Sequence, residues 1–132
     1  MTPLEAARTY ITRGLLPIPI PTREKAPKID GWPSLRLTDA DVGRFFNGAS
    51  SNVGLILGDD YGTADVDLDC DEAIAAAPEL LPETAMYFGR HSKPRSHYFF
   101  RMDPPTRSRR YMDPLDKACL IELRCQKSDG ST

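Results

Sequence analysis

The run Ala64-Asp65-Val66-Asp67-Leu68-Asp69 alternates an apolar residue with an acid at every step. An extended strand sorts this pattern into two faces, with Ala64, Val66 and Leu68 on one and Asp65, Asp67 and Asp69 on the other. Carboxylates at i, i+2 spacing repel and raise one another's pKa. A row of three is therefore tolerable chiefly when a cation sits among the oxygens. Divalent metal is the first expectation, and a solvated face of an edge strand is the bland alternative.

With 132 residues, 40% hydrophobic and 27% charged, the chain is long enough for one globular core and short for two, so a single domain is expected. The net charge of −2 gives no global basic field. Contact with nucleic acid would have to come from local patches, of which Arg107, Arg109 and Arg110 are the densest and suit a template backbone. Lys25 and Lys28 lie in a second basic loop. No basic segment followed by an apolar core opens the chain, and no apolar run approaches the roughly 20 residues of a membrane span. The expectation is a soluble cytoplasmic protein without a membrane partner. Cys70, Cys119 and Cys125 are odd in number and form no CxxC pair. A zinc site would have to recruit His91 or His97 from a distance, so reduced, incidental thiols are the expectation.

Along the chain, residues 3–13 read as a helix with Pro3 in its first turn and Gly14 as its stop. Residues 15–20 read as a buried strand cut by Pro17 and Pro19, so an edge position or an irregular extended segment is expected. Residues 21–33 form an irregular loop. Thr38 and Asp41 open a short helix carrying Val42, Phe45 and Phe46, stopped by Asn47-Gly48. Residues 52–58 and 63–69 are expected as a hairpin around the turn 59–62. An alanine-rich helix over residues 70–77 closes at Pro78. Strands at residues 84–88 and 97–102 flank a basic loop at 89–96, and residues 118–123 form the last strand. Short strands with inserted helices predict an α+β domain with a mostly antiparallel or mixed sheet flanked by helices.

A phosphoryl-transfer site with two metals needs carboxylates that hold ions about 3.5 to 4 Å apart. Two aspartates on one strand face can bridge such a pair, and a carboxylate from another strand completes it. Glu122, the one acid in Cys119-Leu120-Ile121-Glu122-Leu123-Arg124, fits that place, because an unpaired carboxylate in an apolar strand is costly if buried. Between the acids lies Lys93-Pro94-Arg95-Ser96-His97-Tyr98, a basic turn running into an aromatic strand. His97, with Arg90, Lys93 or Arg95, is placed to bind the phosphates of a nucleotide opposite the metals.

These residues resemble the primase-polymerase (prim-pol) domain of the archaeo-eukaryotic primase superfamily, found in plasmids, phages and integrated elements. Its three motifs are an hhhDhD strand, a small-x-His turn and strand, and a later hydrophobic-acidic strand. Here Val66-Asp67-Leu68-Asp69, Arg95-Ser96-His97 and Ile121-Glu122 follow in that order. The flanks Gly14-Leu15-Leu16-Pro17-Ile18-Pro19, Lys25-Ala26-Pro27 with Gly31-Trp32, Asn52-Val53-Gly54, Leu81-Pro82-Glu83-Thr84 and Gly89-Arg90 are similar too. The resemblance implies a prim-pol fold and metal-dependent, template-directed DNA primase and polymerase activity. Asp67, Asp69 and Glu122 would hold Mg²⁺ or Mn²⁺, and His97, with Ser96 beside it, would contact the triphosphate. The implied partners are nucleoside triphosphates and a DNA template and primer, often with a helicase in the same protein or replicon. The family continues past its third motif with a Gly-containing turn and a further strand, whereas this sequence stops at Asp129-Gly130-Ser131-Thr132. The expectation is a catalytic domain over residues 1–132 that is open to truncation at its C-terminal end.

Asp65 lies outside the minimal motif and is expected to pair with an arginine rather than to ligate metal. Two other functions compete. Asp67-Leu68-Asp69 also fits the aspartate pair of a haloacid-dehalogenase-like phosphohydrolase, a fold that wants its acidic strand in a parallel sheet. A prim-pol-like module that binds nucleotide or nucleic acid without turnover is the non-enzymatic alternative.

Overall fold

The computed structural model describes residues 1–48 and 51–126, and the chain divides into two compact units at Ile56 and Leu57. No helix among the described residues is long and apolar enough to cross a membrane. The chain's end at Asp129-Gly130-Ser131-Thr132, where the resemblance expects a further strand, lies outside the described residues.

In the first unit, α1 (Pro3–Thr12) begins with a reciprocal cap. Glu5 N–H donates to Thr2 Oγ1 at 3.2 Å, and Thr2 N–H donates to the Glu5 carboxylate at 2.6 Å, which satisfies donors that the first helical turn leaves orphaned. Ala7 of this helix packs with Leu37, Val42 and Phe46 in the unit's core. α2 (Val42–Phe45) is shorter than its cap residues predict, because Asp41 accepts from the Thr38 N–H at 2.6 Å and makes a turn ahead of the helix. β1 (Pro17–Pro21) pairs antiparallel with β2 (Ser51–Leu55) alone. Pro17, Pro19 and Pro21 have no N–H, so only Ile18 and Ile20 can donate, and the strand has one usable edge. A single 3-10 turn, Trp32–Ser34, ends the loop expected to be wholly irregular.

The second unit is a five-stranded antiparallel sheet in the order β4-β5-β3-β7-β6. Its strands are β3 (Thr63–Leu68), β4 (Tyr87–Arg90), β5 (Lys93–Arg101), β6 (Arg109–Met112) and β7 (Cys119–Arg124), with α3 (Asp71–Leu80) following β3. The central β3 is buried along its whole length. Val66 and Leu68 pack with Ala77 of α3 and with Tyr98 of β5, which gives the alternating strand its apolar side. The acids take the other side.

Three expectations are corrected. The strand at residues 52–58 does not form a hairpin with the acidic strand: β2 pairs with β1, while β3 pairs with β5 and β7. A fully buried strand needs partners on both edges, and a hairpin supplies only one. α3 runs through Pro78 to Leu80, because a proline this close to the helix end removes one hydrogen bond and Leu81 N–H still reaches Ala77 O at 2.9 Å. Residues 89–96 are mostly strand, since β4 and β5 form a tight hairpin. Its register shifts between Phe88 and Arg90, where Gly89 has Lys93 O and Arg95 N so close that a Cβ would not fit. β6 has no counterpart among the expected strands, because all four of its residues are exposed and leave no apolar alternation to read.

The turn into β3 depends on Gly62, whose φ is 69° and whose missing Cβ would collide with the Met102 carbonyl. Gly62→Ala is expected to destabilise the protein by roughly 2–4 kcal/mol in urea unfolding. Gly31 shares the φ of 69° but faces open space, so Gly31→Ala should cost only about 1 kcal/mol.

Candidate metal and nucleotide site

Asp67 lies at the middle of a row that crosses the whole sheet. Its register partners are His97 on β5 and Glu122 on β7, and beyond them stand Phe88 on β4 and Arg110 on β6. Neighbours at one level of a pleated sheet share a face, so five strands contribute one residue each to the acidic side. Asp65 stands one step along, level with Phe99 and Arg124. Asp69 follows the end of β3, where its N–H donates to Leu120 O at 2.9 Å and continues the ladder.

Asp67, Asp69 and Glu122 each offer an oxygen within 4.8 Å of the others. Three carboxylates form a hard, all-oxygen donor set that suits Mg²⁺ or Mn²⁺ and lacks the soft ligands of a zinc site. The residues therefore fit a divalent cation. Two arginines already meet these acids. Arg124 ion-pairs with Asp67, reaches Glu122 Oε2 at 3.4 Å through Nε, and comes within 4.0 Å of Asp65. Arg110 Nε donates to Glu122 Oε1 at 3.0 Å, which ties one member of the basic patch to the acidic row.

Burial pushes the Asp67 carboxyl above its ordinary range, against the pull of the Arg124 and His97 charges. Burial works against the charged Arg124, yet Asp67, Glu122 and Asp65 outweigh it and raise its pKa further. His97 Nδ1 donates to Asp65 Oδ2 at 2.9 Å, and that bond, opposed by burial and aided by the charges of Asp65 and Asp67, holds the imidazole above the ordinary 6.5. A histidine raised in the folded state contributes stability that is full below its unfolded pKa and is lost as pH rises through the folded one. Imidazole ¹⁵N shifts of the metal-free protein should show His97 titrating above 6.5, and Asp65→Asn should move the midpoint down.

The expected phosphate contacts are dispersed. His97 is in the row and Ser96, its neighbour, is buried. Arg90 and Lys93 face each other in register at the hairpin end. Arg95 is not brought to the acids. Its φ of 53° breaks the alternation, and its guanidinium stacks 4.6 Å from the Tyr87 centroid, lining a groove with Tyr98 and Ala77 on the α3 side. The arginine expected near Asp65 is Arg124, but His97 is closer. Phe88 and Arg124 were not singled out from the sequence. Arg124 follows Glu122 by two positions and so shares its face, a signal usable once residue 122 is placed in a strand.

The haloacid-dehalogenase-like alternative fails on topology, since both neighbours of β3 are antiparallel. The family model for the N-terminal domain of bifunctional DNA primase/polymerase (Prim-Pol) matches residues 7–130, and the chain belongs to that family. It is a domain of the primase/polymerase type, with an α+β architecture. A search of curated proteins found no match.

Proposed function

We propose that residues 1–132 act as a catalytic domain for metal-dependent, template-directed nucleotidyl transfer from nucleoside triphosphates onto a DNA primer. The observation that carries this reading is the convergence of Asp67, Asp69 and Glu122 from two strands within 4.8 Å, with His97 level with Asp67 on the adjoining strand. Asp67, Asp69 and Glu122 would hold Mg²⁺ or Mn²⁺. A divalent cation held there would supply Lewis-acid activation of a 3′ hydroxyl and charge neutralisation for the pyrophosphate that leaves. Asp67, 7% exposed, is fixed between two paired strands, whereas Asp69 is exposed and free to adjust. His97 faces the triphosphate, with Arg90 and Lys93 at the hairpin end adding positive charge. In such chemistry the protein's task is chiefly alignment and charge neutralisation.

Labelled dNTP incorporation on a primed template with Mg²⁺ or Mn²⁺ tests the proposal. The wild type should extend the primer, chelation should stop it, and replacement of Asp67 and Asp69 by alanine should silence it. Nucleotide binding without incorporation in the wild type would replace the enzyme with a binding module.

A further inference from the structure

Asp65 is only 3% exposed, and its one hydrogen bond among the described residues is to the imidazole of His97. Its other oxygen, Oδ1, is buried and takes none among the described residues. Burying a carboxylate with so few partners costs free energy, and a solvated acid or a simple structural ion pair would not need this placement. The ring it holds is gripped on a second side. Phe88 stacks on His97 with centroids 4.7 Å apart and planes 9° from parallel, and Phe99 backs Phe88 at 5.4 Å. Hydrogen bond and stacking together set the ring's position and its rotation. Because a carboxylate can only accept, Nδ1 must carry a proton toward Asp65. Nε2 takes no hydrogen bond among the described residues and is the nitrogen left for a ligand.

We infer that Asp65 is a positioning residue that locks the His97 ring, with Phe88 across its face, so that Nε2 is presented to the phosphates of the incoming nucleotide. Asp65 is thus assigned to the histidine and not to the metal, in keeping with the cation-holding group of Asp67, Asp69 and Glu122, which does not include it. The inference rests on the nucleotidyl-transfer reading above. It adds a residue with a role distinct from its two neighbours on the same strand face.

Asp65→Ala should raise the KM for dNTP about tenfold, the scale of one hydrogen bond to a charged group, while kcat stays within about threefold. In a His97→Ala background the same change should add less than about twofold, since a residue acting through another has no effect once that other is gone. Mn²⁺ affinity, read by electron paramagnetic resonance without nucleotide, should change less than about threefold. Imidazole ¹⁵N spectra at a pH where the ring is neutral should show Nδ1 protonated in the wild type, with Asp65→Ala shifting the proton toward Nε2. Asp65→Asn, which preserves shape, gives a folded variant for the same measurements if the alanine form does not fold, and its KM should rise in the same direction.

A loss of Mn²⁺ affinity beyond about tenfold would make Asp65 a ligand and overturn the inference. Additive effects of the two substitutions, or an Nε2-protonated ring in the wild type, would overturn it equally. If the wild type shows no saturable dependence on nucleotide, the proposed function falls, while the ring spectra still decide whether Asp65 sets His97.

Discussion

Asp69→Asn is expected to lower dNTP incorporation by roughly 10²- to 10³-fold while leaving the melting temperature of the metal-free protein within about 2 °C of wild type. The two effects separate because of where the side chain stands. Asp69 is the exposed member of the acidic group and makes no ion pair among the described residues. Its backbone N–H, which extends the β3–β7 ladder through Leu120 O, is untouched by the change. Asparagine keeps the shape and removes the charge. What is lost is one of three anionic oxygens within 4.8 Å, and with it part of the attraction for a divalent cation. Mn²⁺ should raise the wild-type melting temperature by mass action, and the variant should lose most of that increment. Primer extension and a thermal scan with and without Mn²⁺ check both halves. Full activity in the variant would leave Asp67 and Glu122 as the entire cation-holding set.

The alternation at residues 64–69 was readable because a period of two has one structural meaning when one face packs and the other does not. The prolines of β1 likewise confined it to an edge position or an irregular extended segment, since an absent N–H is a local property, and the structure has the edge strand. Partner choice is not local. The turn at residues 59–62 is real, with Gly62 N–H on Asp59 O, but it delivers β3 to strands far along the chain rather than back to β2. Exposed edge strands escape the same logic. β4 and β6 are exposed at all four positions each, so β6 leaves no alternation to read and β4 is read as a strand only as far as Phe88, its Gly89-Arg90 end falling in the expected loop. Among the site residues, Asp67, Asp69, Glu122 and His97 could be singled out by type and order. The bond between Asp65 and His97 could not, because it depends on the register that sets Asp67 opposite His97 and on the stack with Phe88.

Removing the positive charge of Arg124 should make stability depend more strongly on divalent cation. Its guanidinium meets Asp67 and Glu122 and approaches Asp65, so that in the metal-free protein one guanidinium reaches all three acids, while Arg110 meets only Glu122 and His97 bonds Asp65. Asp67 and Asp65 have side chains 10% and 4% exposed, and Glu122 is only partly open at 17%, so water can do little to replace that charge. Arg124→Met keeps most of the apolar stem and deletes the guanidinium. Stripping one partner from a buried ion pair costs about 3–5 kcal/mol, and because the Arg124 side chain is itself 43% exposed, a discounted loss of about 2 kcal/mol is expected. For a chain of this size that lowers the melting temperature by roughly 6–10 °C in chelator. A divalent ion among the same carboxylates supplies the missing charge, so saturating Mn²⁺ should recover most of the loss and stabilise the variant more than it does the wild type, where Arg124 must yield some of its contacts. The check is a pair of thermal scans for each protein, in chelator and in Mn²⁺. An equal shift on adding the metal would mean that Arg124 and the cation do not share the acids, and that the guanidinium serves the sheet alone.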